Sequence, residues 1–400
     1  MANSFAADFA EIWSKVQQEQ FFKETVSVAI ASTQAKSQMS SGDTFNKPYR
    51  SSNNLQSYVR GTSITIDDKT DTQEQLIVNS QYSTGFYVDD MDSIQTDYNL
   101  IANYASDDTA LLNIKVDADV LAAGAANATS TVDDGSIGGT AGNPITLTTS
   151  NVSNVFGAAK RSLARQNVSM KNLFAVISPE VEDILVQYGA GRATDSGDTV
   201  QNNGYIGKFY GFSLFMSNNL QGSVVLGMAT EPTAADTVIV SGVTFTFVAS
   251  PAAAGDIDLS GTVDTTRGYF ENLINNPSTT SATQIALSTA DARYFALNVS
   301  AVNDDSANTL TITEKGAGVL LVSETLTAGG DVFSKEVQHN LIGVKGAIDL
   351  VIQKSPTPMI KSVETKAGSN VLNTLLYGVK VFNDGAKQLV DTQINSVNFS

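Results

Sequence analysis

The stretch "LIVNSQYSTGFYVDDMDSIQTDY", residues Leu76 to Tyr98, governs how the rest of the chain is read. Leu76 and Val78, then Phe86 and Val88, alternate with polar neighbours, the two-residue period of a half-buried strand. The strand runs into an acidic group, Asp89, Asp90 and Asp92. Beyond it Ile94, Tyr98, Ile101, Ala105, Leu112, Val116 and Val120 recur at a helical period. Asp92 and Ser93 suit the N-cap of that helix, because a short side-chain oxygen there accepts an otherwise unpaired backbone N–H. The spacing predicts a helix from Ser93 to about Ala126, with no Pro and no Gly before Gly124. At 1.5 Å per residue it would be roughly 50 Å long. It lacks a heptad, so it reads as a spine for other elements rather than a coiled coil.

Upstream, Thr62, Ile64 and Ile66 also alternate, and Asp67, Asp68, Lys69 and Asp71 follow before the strand at Leu76. This predicts a long β-hairpin with a charged, solvated tip. Such a hairpin has little core of its own and needs another surface to lie upon. Further upstream Phe5, Phe9, Ile12, Trp13 and Val16 form one apolar helical stripe, and polar "TQAKSQMSSGDT" comes after it. A stripe without a local partner is expected to bury against another chain.

Downstream of the long helix comes a Gly/Ala/Thr-rich loop, then a helix over 151–166, the buried strand "LFAVIS" and a helix opened by Pro179. In "NNGYIGKFYGFSLFMSNNL" (202–220), Gly204, Gly207 and Gly211 are interleaved with Tyr205, Phe209, Tyr210 and Phe212. The glycine spacings of three and four do not match a phosphate-cradling loop. Glycines beside an aromatic strand suit tight backbone approach. Residues 228–338 then turn almost wholly to strand and turn. "TVIVSGVTFTFV" predicts a hairpin, "YFALNVSAV" and "TLTITE" further strands, and "TTRGYFENLINN" a helix. This segment carries 13 acids and 4 bases, a net −9 out of the chain's −17. "GAIDLVIQ" and "NTLLYGVKVF" close the chain with mixed character.

Chemistry has little material here. The chain has no cysteine, which excludes disulfides, thiolate metal sites and cysteine nucleophiles, and His339 is the only histidine. The acidic clusters at 67–71 and 89–92 lack calcium-loop spacing, and "GDIDLSG" (255–261) reads as a turn before it reads as a cation site. No catalytic, cofactor-binding or metal-binding residue is therefore assigned. A net charge of −17 argues against a tight grip on nucleic acid, which needs Lys and Arg to displace counterions. No apolar run approaches the ~20 residues that cross a bilayer, and the N-terminus lacks an export signal.

In order along the chain, these motifs resemble the major capsid protein of tailed bacteriophages with the HK97-like fold. "AEIWSKVQQEQ" is similar to that family's N-terminal arm, and "GDTFNKP" to the entry of its long E-loop. "LIVNSQYSTGFYVDDMDSIQTDY" is similar to the E-loop's return strand and the start of the P-domain spine helix. "NGYIGKFYGFSLFMSNNL" resembles the A-domain strand, and "LLYGVKVF" the closing P-domain strand. The resemblance covers roughly residues 8–227 and 339–394; 228–338 depart from it and resemble, by position only, an inserted domain.

It implies an α+β chain divided into an arm (1–45), E-loop hairpin (46–90), spine helix with its following loop (91–150), A-domain (151–227), inserted β-rich domain (228–338) and a return (339–400). It also implies a non-enzymatic protein of the virion, assembled in the bacterial cytoplasm into homo-hexamers and pentamers that enclose double-stranded DNA without reading its sequence. Expected partners are a separate scaffolding protein and a portal protein; the resemblance leaves open whether a decoration protein binds. The coat is expected to begin near Met1 without cleavage of a long leader. An acidic insert facing packaged DNA would only add repulsion, so it is expected on the outer surface; the rival expectation is that it completes the A-domain core. The alternatives are a tail tube or sheath protein, which gives no reason for so long a helix, and a secreted β-rich adhesin, which would need an export signal.

Overall fold

A computed structural model of the chain describes residues 21–39, 42–50, 53–66, 68–91, 100–191, 207–327, 331–363 and 366–396. Strands β1 (Thr44–Tyr49), β2 (Thr72–Ile77) and β3 (Ser80–Asp89) precede the 28-residue helix α1 (Leu100–Asn127). Next come β4 (Ser130–Val132), α2 (Val152–Arg165), β5 (Leu173–Ile177), α3 (Pro179–Ala190), β6 (Lys208–Phe209), β7 (Phe212–Met216) and β8 (Gln221–Gly227). Residues 228–338 add β9 (Thr237–Val240), β10 (Val243–Val248), β11 (Asp256–Asp258), α4 (Val263–Asn275), α5 (Thr289–Asn298), β12 (Val299–Asp304), β13 (Thr309–Glu314), β14 (Val322–Glu324) and the start of β15 (Phe333–Val344). The chain ends with β16 (Asp349–Lys354), β17 (Met359–Ser362), β18 (Gly368–Lys380) and β19 (Leu389–Asn395).

The long helix is present, and α1 lies against the sheet formed by β3, β16, β17 and β18. Leu112, Val116, Val120 and Leu121 from α1 share a core with Leu350, Leu375 and Tyr377, and Phe86 meets Tyr104 edge to face at 5.6 Å. The N-cap candidates Asp92 and Ser93 lie outside the described residues. The hairpin differs from expectation. Its ladder pairs β1 with β2, whereas Thr62, Ile64 and Ile66 form no strand. Alternation produces a strand only where a partner completes the ladder and a surface covers one face. Ile64 and Ile66 have neither, and stand 66% and 89% exposed.

The second body is a forked sheet built on β15. Val337 faces Asn395 of β19 on one flank and Ser223 of β8 on the other; Leu341 faces Asp391 of β19 and Val176 of β5. Strands β8 and β5 therefore share one flank of β15 in succession, and the sheet divides between them. One prong continues from β8 to β13 and β12, the other from β5 to β7 and β6. A fork leaves backbone groups without ladder partners, and a buried unpaired group costs about 1–3 kcal/mol. Side chains fill the gap: buried Asn340 accepts the amide of Ser178 at 2.9 Å. The Ser178 hydroxyl in turn caps α3 by accepting from Val181 N, ahead of Pro179 in the first helical turn.

Residues 228–338 are joined to this sheet. Hairpin β12–β13 extends the β8 prong, and the core under it mixes Val224, Leu226 and Met228 with Phe245, Phe247, Ile257, Phe270, Leu273 and Phe295. The expected β9–β10 hairpin is present. Ser241 (φ 50°) and Gly242 (φ 81°) supply the two positive φ angles of a type I′ turn. Its alternation is also as expected, with Phe245 and Phe247 fully buried and Thr244 exposed. This hairpin sits in a separate four-stranded sheet, β11-β10-β9-β14. One segment is corrected: "YFALN" closes helix α5 instead of beginning a strand. Ser288 caps that helix by accepting Asp291 N, and Ala292 and Phe295, three apart, face the core. The free edge of β12 is closed by Asn275, whose amide group bonds both N–H and C=O of Ala301 at 2.9 Å. That blunts an edge otherwise open to strand addition.

A deletion tests this joined arrangement. Replacing 228–338 with a short Gly/Ser linker between Gly227 and His339 removes β13 from β8 and uncovers Val224 and Leu226, both fully buried. We expect aggregation rather than a folded, dispersed product, scored by size-exclusion chromatography and circular dichroism. A well-folded deletion product would show the insert to be separable.

Candidate assembly surfaces

The sequence-predicted residues fall into three sets along the chain. The arm residues Phe5, Phe9, Ile12, Trp13 and Val16 lie outside the described residues, as do Asp67, Gly204 and Tyr205. Asp68, Lys69 and Asp71 of the loop tip are exposed. On the loop itself Leu55, Tyr58, Val59, Ile64 and Ile66 are between 61% and 102% exposed, a set of apolar side chains with no intramolecular cover. Arg60 is the only charged residue in 53–66. Exposed apolar side chains gathered on one loop are a candidate surface for binding another chain.

The aromatic segment is architecture. Phe209 and Phe212 pair across a two-residue turn whose central residues, Tyr210 (φ 51°) and Gly211 (φ 92°), both take the left-handed conformation of a type I′ hairpin. Gly207 (φ 64°) precedes it. Phe209 packs edge to face on Phe156 at 5.1 Å and on Tyr188 at 5.7 Å, and Phe212 lies 6.1 Å from Phe156. Lys160 donates to the Tyr210 carbonyl at 2.9 Å and holds the turn against α2. Beside it, Ser136, Ser153, Gly157, Arg161 and Tyr210 line an open groove of about 490 Å³. It contains no cluster of groups that would perform chemistry.

One arrangement escaped the sequence. Ser223 Oγ lies 2.9 Å from His339 Nε2, and His339 Nδ1 lies 2.9 Å from Asp391 Oδ2, linking β8, β15 and β19. Three residues on three separate strands leave no spacing motif. The order hydroxyl–imidazole–carboxylate matches a nucleophile relay. However, Ser223 lies mid-strand with Thr313 on one flank and Val337 on the other, so its backbone amides belong to ladders and are not grouped as oxyanion donors. The relay ties the β8 prong to β15 and β19. The acidic turn "GDIDLSG" resolves similarly: Asp256 accepts the amides of Ala252 and Ala253, and Asp258 that of Ser260. Among the described residues no group of three or more His, Cys, Asp or Glu could hold a metal ion, and no helix is long and apolar enough to cross a membrane.

The chain matches no protein-family model and no curated protein. Its fold matches solved structures along nearly its whole length. One, from Mycobacterium phage Che8, has a TM-score of 0.58 at 14% identity, with 98% of each chain covered. The capsid structure of the cyanophage P-SCSP1u gives 0.56 at 12% identity, covering 98% of this chain and 94% of the other. The fold is that of a phage capsid subunit. The acidic stable capsid structure of Helicobacter pylori bacteriophage KHP30 gives 0.52 at 10% identity, with 98% of each covered. The α+β, HK97-like fold expected from the motif order is thus present from end to end, residues 228–338 included.

The relay is tested by removing its centre. Asp391 and His339 side chains are only 6% and 12% exposed. His339→Ala leaves the buried Asp391 carboxylate with only the Gln393 amide, 3.2 Å away, and should cost about 1–3 kcal/mol in chemical denaturation. Ser223→Ala, which removes a weaker bond, should cost about 1 kcal/mol. A fluorophosphonate probe should leave Ser223 unlabelled. Stoichiometric labelling would assign it a nucleophilic role.

Proposed function

We propose that this chain is the major capsid protein of a tailed phage, a subunit that assembles with itself into hexamers and pentamers of an icosahedral shell around double-stranded DNA. The observation that carries the proposal is the likeness of fold to phage capsid subunits over essentially the entire chain. A partial match would be compatible with a shared domain doing other work; coverage of 94–98% in both directions supports reading the chain as a whole subunit. The role is geometric and non-catalytic. The E-loop's uncovered apolar side chains lie on a neighbouring subunit, and the arm stripe, Phe5 to Val16, does the same. DNA brings its own counterions, so an acidic wall of net charge −17 can enclose it without gripping it. A scaffolding protein and a portal are the partners this role calls for, and the virion is its location. On this reading residues 228–338, with their net −9, face outward.

Negative-stain microscopy of purified protein is expected to show capsomers or closed shells. Stacked rings would favour a tail tube, and monomers at high concentration would overturn the proposal. The loop's part is separable. Ile64→Ser with Ile66→Ser changes two exposed side chains, so stability should shift by no more than about 0.5 kcal/mol. Assembly should fail or require much higher protein concentration. Normal assembly of this double variant would remove the E-loop from the contact set.

A further inference from the structure

Parts of the chain far apart in sequence meet at one polar junction beside α1. The first is the base of the arm. Phe21 is 96% exposed, whereas Val26, Ser27 and Ile30 are buried, so the chain passes from solvent to core within five residues. Asp117 of α1, fully buried, anchors this passage: its Oδ1 accepts the amides of Val26 at 2.7 Å and Ser27 at 2.6 Å. Its Oδ2 accepts from Asn219 Nδ2 at 2.8 Å, and the same nitrogen donates to Glu24 O at 3.3 Å.

The second part is the insert. Lys23 Nζ donates to two backbone carbonyls, Asn218 O at 3.2 Å, between the prongs of the sheet, and Gly316 O, in the turn that follows β13. That turn is itself held to α1. Lys315 Nζ lies 3.4 Å from Asp119, and Gly316, at φ 74°, sits so close to α1 that a Cβ there would come within 3.0 Å of the Ala118 methyl. Lys115, one turn before Asp119, bonds Asp119 at 2.9 Å and reaches the end of α5, donating to Leu297 O at 2.8 Å and Asn298 Oδ1 at 3.2 Å. Asp119 also accepts the hydroxyl of Tyr377 from β18. Burial pulls the ammonium groups of Lys23 and Lys115 below their ordinary pKa; nearby carboxylates, Glu314 and Asp119 respectively, oppose the shift.

We infer that the insert fixes where the N-terminal arm leaves the subunit, so that a displacement of residues 315–318 is transmitted to residues 23–27. Lys23 takes one carbonyl from the A-domain and one from the insert, so a shift of the Gly316 carbonyl moves or breaks a bond that also positions residue 23. Between Phe21 and the buried Val26 the chain has at most about 17 Å of reach. That leaves little slack to absorb a shift of the anchor. The consequence for shells rests on the proposed function, since arm direction matters only if the arm lies on a neighbour. The coupling itself does not depend on it.

The experiment is hydrogen exchange on the full-length, unassembled protein, read at the arm base after a change made only in the insert or on the far side of α1. Gly316→Val places a side chain against Ala118 at a positive φ, and Lys115→Met releases α5. Each should speed exchange of the Val26 and Ser27 amides at least tenfold while amides in the middle of β18 keep wild-type rates. Lys23→Met should act reciprocally and speed exchange of the Gly318 amide, which bonds Leu220 O at 2.8 Å. If Gly316→Val misfolds, Lys115→Met and Lys23→Met carry the test alone. Exchange at Val26 and Ser27 within twofold of wild type, while Gly318 exchanges faster in the Lys115→Met variant, overturns the inference. A coupled exchange response in a protein that never forms capsomers supports the inference while sinking the shell function.

Discussion

Everything in the larger body depends on one strand having to serve two neighbours on the same flank. Strand β15 carries β19 along one side and, on the other, β8 and then β5. A bulge between Ser334 and Val337, with Lys335 at φ 49°, shifts its register before the fork. Bulges bend a strand and increase its twist, and so help two ladders diverge. The fork is stable because its polar residues are matched to it. Asn340 takes the Ser178 amide, and His339, the residue before it, bridges Ser223 and Asp391 on opposite flanks. An apolar residue at 340 would leave the Ser178 amide unpaired in a dry site.

The fork also explains why residues 228–338 cannot be a simple appendage. The strand β8 alternates, with Gly222, Val224 and Leu226 buried on one face. Without β13 beside it and Phe245, Phe270 and Phe295 beneath it, that face would be bare. The segment's polar interior is tied to the same place. Arg267, with no exposed surface, donates to Met228 O, Asn303 and the carboxylates of Asp264 and Asp305. A buried guanidinium is tolerable only when its donors are satisfied, and here the partners come from the insert's entry, its helix α4 and its β12–β13 turn. Folding of the segment and closure of the forked sheet are one event.

What could be read in the sequence was what periodicity and turn chemistry encode locally. The spine helix, the β9–β10 turn at Ser241–Gly242, the buried strand at Leu173–Ile177 and the capped helix after Ser178 each declare themselves within about a dozen residues. The fork, the Ser223–His339–Asp391 relay and the Lys23 junction join residues more than 50 positions apart, and a lone histidine among 400 residues carries no spacing to interpret. Ile64 and Ile66 show the opposite failure. Their alternation is real, but among the described residues no strand pairs with them and they stand 66% and 89% exposed. "YFALN" shows a third, in which a helix cap at Ser288, six residues upstream, outweighs an apparent alternation.

Charge and apolar surface are divided in a way that suits assembly from identical parts. Subunits of net charge −17 repel one another, but at physiological salt that repulsion fades over about 8 Å. Attraction must therefore act at contact. Candidates to supply it are Leu55, Tyr58, Val59, Ile64 and Ile66, in a stretch (53–66) whose one charge is Arg60 and which runs into the charged tip at 67–71; residues 228–338 hold more than half of the net negative charge on a body whose free β12 edge is closed by Asn275. Burying five such side chains is worth several kcal/mol before the entropy of ordering the loop is subtracted. On the proposed function, contacts of that size would be weak enough singly to be corrected during growth and would sum to a durable structure when every subunit makes them with its neighbours. The excess negative charge of 228–338 adds short-range repulsion, and Asn275 closes the β12 edge to unplanned strand pairing.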